Sequence, residues 1–407
     1  MAPTTPLSGR RVAILVQNLP VPFDRRVWME SMALAEAGAD VTVVCPADDR
    51  HPAGEFTIEG IKVFRYRPPR EASGPLGYLN EYAVSLLRMR HELRRARRGG
   101  RFDVIHFCNP PDLLYTVAGP FSRRDESILV FDQHDLGPEL VEAKHMPLGR
   151  IFTGIAKIFE SRTYASADHV IATNESYKQI AIARGGFTPD DVTVVRSGPV
   201  SNWGDDVRPR DWHNGHEFLL GYVGVMGRQE GIEYLLEAIA ALREWELDVH
   251  LSLVGSGPDR SRLEILAASL GITDNVTFHG RVSDEDLKSI LSDADVCVNP
   301  DEVNPMNNLS TMNKIVEYMA LGRPIVQFDV KEGKFSAGGA SSYAEANSAQ
   351  SLALEIRSLL QDPEMRAGMS QEGIRRFKHT LCWEHQAGHL VDAYVGILDK
   401  RPRFFSV

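Results

Sequence analysis

Short, continuous runs of apolar residues alternate along this chain with longer stretches in which apolar residues recur every three or four positions. The first pattern is typical of strands buried on both faces of a parallel sheet, and the second is typical of helices with one buried face. The predicted strands are 12–16, 41–45, 104–107, 128–131, 169–172, 192–195, 219–223, 249–254, 276–279, 296–298 and 325–328. Repeated strand–helix–strand units predict an α/β architecture with parallel sheets.

The alternation is interrupted at 202–214, which is polar, charged and broken by proline. A chain of 407 residues is also longer than one ordinary hydrophobic core can organise. We therefore predict two Rossmann-like, doubly wound parallel-sheet domains that face each other across a cleft. The predicted bounds are 1–200 for the first domain, 201–214 for the linker, 215–382 for the second domain, and 383–407 for a C-terminal helix that crosses back to the first domain.

Net charge, cysteine spacing and the length of apolar runs limit which classes of protein this chain can belong to. The formal net charge of −10 argues against a nucleic-acid partner. The four cysteines show no C-x-x-C spacing, so we expect buried thiols in a reducing compartment. The N-terminus lacks the apolar core of a signal peptide, and no apolar run approaches membrane-spanning length. Together these features predict a cytoplasmic protein.

The stretch 310–324 predicts a helix whose N-terminus is suited to binding an anion. Ser310 or Thr311 is the expected N-cap, and Gly322 ends the helix. The first turn carries Lys314 and no acidic residue, so N–H groups, a hydroxyl and an ammonium would all point at an external anion, and we expect a phosphate. The residues expected to supply these contacts besides Lys314 are Ser310, Thr311, Met312 and Asn313.

Glu317 lies one turn after Lys314, and two interpretations of it stay open. It can form an i,i+3 ion pair on a solvated surface. Alternatively, its carboxylate accepts ribose hydroxyls while the helix start holds a diphosphate.

A glycine-rich turn, Gly-Ser-Gly-Pro at 255–258, follows the predicted strand 249–254, at the end of the strand where open α/β sheets bind ligands. Gly255 and Gly257 are therefore candidate donor-site residues, although the turn is shorter than G-x-G-x-x-G and a purely structural turn is the alternative. The backbone at Arg281 and Val282, after the next strand, is placed to pair with the edge of a planar base.

Several motifs together resemble one enzyme family. The pattern Asn-Lys-x-x-Glu-Tyr-Met-Ala-x-Gly-x-Pro at 313–324, within a second half that runs from 222 to 326, is similar to the donor-binding domain of retaining, GT-B-fold glycosyltransferases of family 4. The first half is similar to that family's acceptor domain. The segments 23–28 and 304–314 resemble a bacterial branch that builds surface polysaccharides and decorates natural products.

The resemblance implies transfer of a sugar from a nucleotide diphosphate donor, UDP rather than GDP, to an acceptor hydroxyl with retention of anomeric configuration. It implies no cofactor besides the nucleotide sugar, and an acceptor that is a glycan, a glycolipid or a small-molecule aglycone. Lys314, Arg228 and the 310–313 helix start would stabilise the leaving diphosphate, and Glu317 would hold the ribose. The diphosphate oxygen would itself take the acceptor proton.

The sequence departs from the family pattern at the diphosphate loop. The usual G-R-L-x-x-x-K-G appears at 224–231 with Val225 and Glu230 in place of the Arg and the Lys. Arg228 is the nearest substitute cation, or else an ordinary loop residue. The first of the family's paired glutamates falls at Leu309. The candidates to replace it are Asp301, Glu302 and Asn308.

His134 follows the predicted strand 128–131. It is either a satisfied hydrogen-bonding histidine or, by resemblance, a residue that contacts the donor sugar and polarises the reacting centre. Asp135 and Glu139 are its expected orienting partners, or act on the acceptor.

Asp24, Arg25 and Arg26 open the first helix. They form either a capped, solvated helix start or a lip that holds the acceptor, for instance through an acceptor phosphate.

A basic run at 88–101 has two interpretations as well. It is a solvated helix face, or a patch that rests on anionic lipid at the inner membrane face near a lipid-linked acceptor. Its arginines are Arg88, Arg90, Arg94, Arg95, Arg97, Arg98 and Arg101.

No metal site is predicted, because the histidines and cysteines lack metal-ligand spacing and no Asp-x-Asp motif lies in the cleft segments. Two other functions remain alternatives. One is a sugar-nucleotide epimerase on a similar frame, and the other is a non-catalytic nucleotide-sugar-binding protein whose diphosphate contacts have been lost at Val225, Glu230 and Leu309.

Overall fold

A computed structural model describes residues 5–69, 75–143, 149–208 and 210–399 of the chain. The chain divides into two compact units. Unit 1 comprises Met1–Val195 together with Gln386–Val407, and unit 2 comprises Arg196–His385. Part of the predicted C-terminal segment, 400–407, lies outside the described residues.

Unit 1 contains an eight-stranded sheet in the order β3-β4-β2-β1-β5-β6-β7-β8. The β3–β4 hairpin is antiparallel and the other neighbouring strands are parallel. The strands are β1 (Arg11–Leu15), β2 (Asp40–Pro46), β3 (Gly54–Ile58), β4 (Ile61–Tyr66), β5 (Val104–Cys108), β6 (Ile128–Gln133), β7 (His169–Ala172) and β8 (Val192–Val194). The helices are α1 (Arg25–Glu36), α2 (Pro75–Ala96), α3 (Tyr115–Asp125), α4 (Gly137–Ala143), α5 (Gly149–Ser166) and α6 (Glu175–Gly185).

Unit 2 contains a six-stranded, all-parallel sheet in the order β11-β10-β9-β12-β13-β14. The strands are β9 (Phe218–Val223), β10 (Val249–Val254), β11 (Val276–Gly280), β12 (Val296–Asn299), β13 (Ile325–Phe328) and β14 (Ser341–Ala344). The helices are α7 (Ile232–Glu244), α8 (Arg260–Ser269), α9 (Asp284–Asp293), α10 (Asn313–Ala320), α11 (Lys331–Ala337), α12 (Ala349–Gln361) and α13 (Pro363–Arg376). The strand order reverses between β9 and β12, and open α/β sheets bind ligands at the carboxyl ends of the strands at such a point.

The predicted α/β fold with two Rossmann-like parallel-sheet units is confirmed. Every strand predicted from the sequence is present. Strands inside the sheets are covered on both faces: all six residues of β10 and all five of β5 are buried. The prediction missed β3, β4 and β14. The β3 residues alternate between partly buried and exposed, as edge strands do, and give no continuous apolar run.

Residues 201–214 do not form a free linker. The indole N–H of Trp212 donates to Ser289 Oγ over 3.0 Å, and Trp203 packs against a buried cluster of unit 2. The segment therefore belongs to unit 2, which begins earlier than predicted, at Arg196.

The last described helix, α14 (Trp383–Leu398), begins where the C-terminal helix was predicted to begin. From Gln386 onward it belongs to unit 1, where the Tyr394 hydroxyl lies 2.7 Å from His106 Nδ1. All four cysteines are buried free thiols, as predicted. In the ranges that the structure describes, the helices are too short or too polar to span a bilayer.

Candidate functional site

Two glycine-containing turns stack at the carboxyl edge of the unit 2 sheet. The Gly224 amide donates to the Val254 carbonyl over 3.1 Å, and the Met226 amide donates to the Ser256 carbonyl over 3.2 Å. A Cβ added at Gly255 would overlap the backbone carbonyl of Gly224, and one added at Gly257 would overlap the backbone of Met226. Both predicted glycines are therefore required for the close approach of these two turns, which brings the loops after β9 and β10 together.

Lys314 occupies the switch point, on the first turn of α10. Its Nζ lies 2.8 Å from Glu230 Oε2 and 2.8 Å from Asp301 Oδ1, and 4.9 Å from the centre of the Tyr222 ring. The ammonium is buried, and Asp301 is almost completely so. The loops after β9 and β12 and the first turn of α10 are thus joined by one ion cluster.

The cluster sets the charge states of its members. Burial alone would lower the pKa of Lys314, but the carboxylates of Asp301 and Glu230 and the neighbouring Tyr222 outweigh it and hold that pKa well above its ordinary value. Burial raises the pKa of Asp301 to about 6, against the attraction of Lys314. Lys314 is therefore a permanent cation that already faces two acidic groups.

This arrangement corrects the prediction that Lys314 is available to an external anion. It also corrects the predicted cap: Met312 is the N-cap of α10 and its side chain makes no capping hydrogen bond, and Ser310 Oγ donates to the Met306 carbonyl over 2.9 Å. Glu317 is partly buried one turn further along α10, and Thr311 is partly buried before it. The start of α10 thus offers backbone N–H groups, whereas the positive charge of Lys314 is already balanced by Asp301 and Glu230.

Other predicted donor-site residues surround the same edge. Arg228 follows the first glycine turn, with a side chain that is 84% exposed and an Nε 4.0 Å from Asp259 Oδ2. Arg281 is exposed just after β11, and Val282 beside it is partly buried. Asn313 is exposed at the start of α10. Arg228 and Arg281 are therefore the solvent-accessible cations that the prediction places at this edge.

In unit 1, His134 lies directly after β6. Its Nε2 forms a short hydrogen bond with Asp132 Oδ2, and its backbone N–H donates to Asn109 Oδ1 over 2.8 Å. Since a carboxylate only accepts, the Nε2 atom carries a proton and the Asp132 contact fixes the orientation of the ring. The side chain of His134 is 18% exposed. Asp132 thus fixes the ring of His134 on one side, while part of the ring remains exposed to solvent.

Arg26 holds Asp132 and is not part of an exposed lip. Its Nη2 and Nε donate to the two Asp132 oxygens over 2.7 and 3.0 Å, and its Nη1 donates to the Val195 carbonyl over 2.9 Å. Burial alone would raise the pKa of Asp132, but Arg26 and His134 outweigh it and hold that pKa well below its usual range. The predicted acceptor role of Arg26 is therefore wrong: its guanidinium is an internal counter-ion.

Of the other two residues at that helix start, one fits the interpretation of a capped helix start and the other is exposed to solvent. Asp24 is buried and caps α1 by accepting the Val27 amide over 3.1 Å, whereas Arg25 is exposed.

Further buried groups complete this cluster, which we call the Asp132 cluster: Arg26, Glu30, His106, Asp132, His134 and Tyr394. Glu30 Oε1 lies 3.0 Å from Arg26 Nη2, and burial raises the pKa of Glu30 well above its ordinary value. Burial lowers the pKa of His106. Sequence reasoning missed Glu30 and Asp132. The signals were present, since Glu30 is four residues after Arg26 on α1 and Asp132 interrupts an apolar strand run.

Glu139 does not orient His134. It pairs with Arg184, whose Nη1 also lies 3.0 Å from Glu160 Oε1. Asp135 is partly buried, and burial raises the pKa of its carboxyl. The orienting partner of His134 is Asp132, so the predicted roles of Asp135 and Glu139 toward His134 are not supported.

Part of the arginine-rich run is engaged within unit 1. Arg97 binds Asp125 through both carboxylate oxygens, Arg95 lies 2.6 Å from Glu92, and Arg88 donates to the Arg67 carbonyl over 2.6 Å. The 88–101 run is therefore neither a fully solvated face nor a set of unengaged cations.

Among the described residues, two groups bring three metal-ligating atoms within 4.8 Å of one another: His106, Cys108 and Asp132, and Asp211, His213 and Asp293. In the first group Asp132 is already neutralised by Arg26, which disfavours a cation there.

We expect the free energy of unfolding to depend on pH because of Asp112. Its carboxyl accepts a hydrogen bond from Asn109 Nδ2 over 3.0 Å. Burial raises the pKa of Asp112 to about 7. The native state therefore binds this proton more tightly than the unfolded chain, and ionising the carboxyl costs stability that grows from about pH 4 to about pH 7. Asp112→Asn should match the wild type near pH 4 and be about 1–3 kcal/mol more stable at pH 8.

Chemical denaturation at both pH values measures this difference. Asp190→Asn, at an exposed position of unit 1, is the matched control and should change stability at neither pH. An Asp112→Asn effect that is equal at pH 4 and pH 8 would show that the native carboxyl does not titrate in this range.

Two protein-family models match the chain. Residues 24–198 match a glycosyl transferase 4-like domain, and residues 217–362 match the family described as glycosyl transferases group 1. The chain is 28% identical over 192 residues to an α-D-kanosaminyltransferase of Streptomyces kanamyceticus, covering 47% of this chain and 46% of the relative. It is 29% identical over 183 residues to the lipopolysaccharide core biosynthesis glycosyltransferase LpsE of Rhizobium meliloti, covering 44% and 49%. The chain thus spans about half the length of the curated relatives it matches.

Solved structures share the fold over nearly the whole chain. A sucrose-phosphate synthase from Thermosynechococcus elongatus superposes with a TM-score of 0.78 at 20% identity, over 95% of this chain and 99% of that one. Anabaena HepE, in complex with UDP-glucose, superposes with a TM-score of 0.69 at 17% identity, over 95% and 99%. At these identities the comparison shows the fold.

Proposed function

Because the chain carries a glycosyl transferase 4-like domain followed by a glycosyltransferase group 1 domain, we propose that it transfers a sugar from a nucleotide diphosphate donor to an acceptor hydroxyl. The observation that carries the proposal is the carboxyl edge of unit 2. There the switch point, the two stacked glycine turns and the start of α10 lie together. Such an edge is where open α/β sheets bind nucleotides.

UDP is the proposed nucleotide. The support is the fold shared with Anabaena HepE, which was solved with UDP and with UDP-glucose. Glu317 would accept the ribose hydroxyls, and the backbone at Arg281 and Val282 would pair with the uracil edge. Retention of anomeric configuration and a diphosphate oxygen that takes the acceptor proton are part of the same proposal.

The leaving diphosphate would be stabilised by Arg228 and by the N–H groups at 310–313, with Lys314 as the fixed charge behind them. Preorganised cations and dipoles of this kind stabilise developing negative charge without reorganising during the reaction. No cofactor or metal enters this proposal. Turnover that survives excess EDTA supports that part of it, and turnover restored only by Mg²⁺ or Mn²⁺ refutes it.

Glu230→Gln is expected to raise the affinity for UDP roughly fivefold to tenfold. The substitution removes a negative charge 2.8 Å from the Lys314 ammonium and leaves a group that still accepts its hydrogen bond, so the fixed cation attracts the diphosphate more strongly. Calorimetric titration with UDP measures the change.

The matched control is Glu244→Gln, at an exposed position of α7, which should leave UDP affinity unchanged. If UDP affinity is unchanged or lower in Glu230→Gln, the diphosphate does not bind near Lys314.

The acceptor is proposed to be a glycan, glycolipid or small-molecule aglycone, in surface-polysaccharide or natural-product biosynthesis. The support is that two similar proteins are a kanosaminyltransferase and a lipopolysaccharide core biosynthesis glycosyltransferase.

A panel of nucleotide sugars tests the proposed function. Melting temperatures identify the preferred donor, because a ligand that binds the folded state stabilises it. Consumption of that donor with pooled acceptors, followed by release of UDP, then measures transfer. Donor conversion without an acceptor supports the epimerase alternative, and donor binding without any consumption supports the non-catalytic alternative.

A further inference from the structure

Helix α5 of unit 1 exposes three isoleucines along one face. The side chains of Ile151, Ile155 and Ile158 are 59%, 41% and 59% exposed. Their spacing of four and then three residues places them in one line on the helix surface. Single exposed apolar residues are ordinary on protein surfaces, but an aligned set on one helix marks an interaction surface.

The charges around this line are positive. Arg150, Lys157 and Arg162 are exposed on the same helix. The one acidic residue of α5, Glu160, is buried and paired with Arg184 over 3.0 Å. In a chain of net charge −10 this helix is a local cationic surface. Apolar residues flanked by cations are typical of helices that lie in the interface of an anionic membrane.

A groove of about 460 Å³ opens beside the first turns of α5. Arg150 and Lys157 line it, with Glu142 from α4 as the acidic member of the lining. Thr153 also lines it, and its Oγ1 is buried without a hydrogen-bond partner among the described residues. A phosphate oxygen would accept from that hydroxyl and pair with the two cations.

The charges on this face of α5 indicate which kind of partner binds it. A second copy of the chain packed on this face around a two-fold axis would bring the same three cations against one another, which is unfavourable. An anionic lipid surface matches both the cations and the isoleucines.

We propose that α5 docks on an anionic phospholipid surface, with Ile151, Ile155 and Ile158 at the acyl boundary and a lipid phosphate in the groove between Arg150, Thr153 and Lys157. The proposal differs from the sequence-based expectation, which placed a membrane contact at the 88–101 run, beginning in α2. It does not depend on glycosyl transfer.

Sedimentation of the full chain with vesicles tests the proposal. Vesicles of phosphatidylcholine with phosphatidylglycerol should bind the protein, and phosphatidylcholine alone should bind it at least tenfold more weakly. Ile155→Ser with Ile158→Ser, and separately Lys157→Glu, should each weaken binding to the anionic vesicles about tenfold. The matched control is Ile265→Ser in unit 2, a 70% exposed isoleucine on α8, which should bind like the wild type.

Thr153→Val tests the groove itself. It preserves the shape of the side chain and should weaken binding to anionic vesicles about threefold if the hydroxyl contacts a lipid phosphate. Inorganic phosphate at millimolar concentration should not displace the protein, because the isoleucines contribute only at a bilayer.

Four outcomes would overturn the proposal. The wild type does not bind anionic vesicles, or the α5 variants bind them like the wild type. Leu87→Ser with Arg88→Ala abolishes binding while the α5 variants retain it, which assigns the contact to α2. Light scattering shows that the α5 variants dissociate a dimer, which assigns the isoleucines to a contact between copies.

Discussion

Lys314→Ala is expected to destabilise the protein by about 3–5 kcal/mol, because it leaves Asp301 and Glu230 without their shared counter-ion in a buried site. The loss should be larger at pH 8 than at pH 5. Burial raises the pKa of Asp301, so without Lys314 its carboxyl binds a proton more tightly in the native state than in the unfolded chain, and the variant loses stability as the pH rises. Urea denaturation followed by circular dichroism at both pH values measures the effect.

Lys331→Ala provides the matched control, since Lys331 is an exposed lysine of unit 2 and should change stability by less than about 0.5 kcal/mol. A Lys314→Ala variant as stable as this control would mean that the buried ion cluster does not form. A variant that is stable but inactive would instead restore Lys314 to the role expected from the sequence, that of a cation used mainly by the ligand.

His134→Ala is expected to lower sugar transfer by roughly 100-fold to 1,000-fold while leaving UDP affinity within about twofold. The ring is oriented by Asp132, which is itself held by Arg26. We propose that this oriented, partly exposed ring acts on the transferred sugar, as the resemblance implies, so its removal should spare nucleotide binding. Steady-state transfer rates and calorimetric titration with UDP separate the two effects.

For His134 the matched control is His389→Ala, at an exposed position of α14, which should retain full activity. Loss of UDP affinity in His134→Ala would move His134 to the nucleotide site. Full activity would identify it as a satisfied structural histidine, the other interpretation that its sequence allows.

The sequence predicts the sheets well because burial on both faces leaves a local signal. The runs 12–16, 128–131 and 296–298, which became β1, β6 and β12, are continuously apolar, so one window of sequence suffices to recognise each of them. β3 is the edge strand of its sheet, where its residues alternate between partly buried and exposed and give no continuous apolar run. Its pairing with β4 is local, across a tight turn in which Glu59 and Gly60 have positive φ, so the signal that was missed is the turn and not an apolar run.

For the candidate site too, the sequence predicts which strand ends and turns carry the residues, but not which residues contact one another. The sequence placed Lys314, Arg228 and Gly255 at strand ends and turns, and the structure finds them at the carboxyl edge of unit 2. It could not show that Lys314 is paired with Glu230, which lies 84 positions away. Residues of opposite charge are common along the chain, and only the folded backbone decides which of them meet.

The sequence likewise could not show the buried ion pair of Arg26 and Asp132 in unit 1. Arg26 meets Asp132 across 106 positions, which turned a predicted acceptor contact into an internal counter-ion.

Hydrogen–deuterium exchange of the full chain with and without UDP tests the central claim most directly. We predict slower exchange on UDP addition for the amides of 224–231, 255–258 and 310–314, which form the carboxyl edge of unit 2. The amides of α12, away from that edge, should be unaffected. Protection confined to unit 1, or no protection at 310–314 at saturating UDP, would contradict the assignment of the nucleotide to this edge.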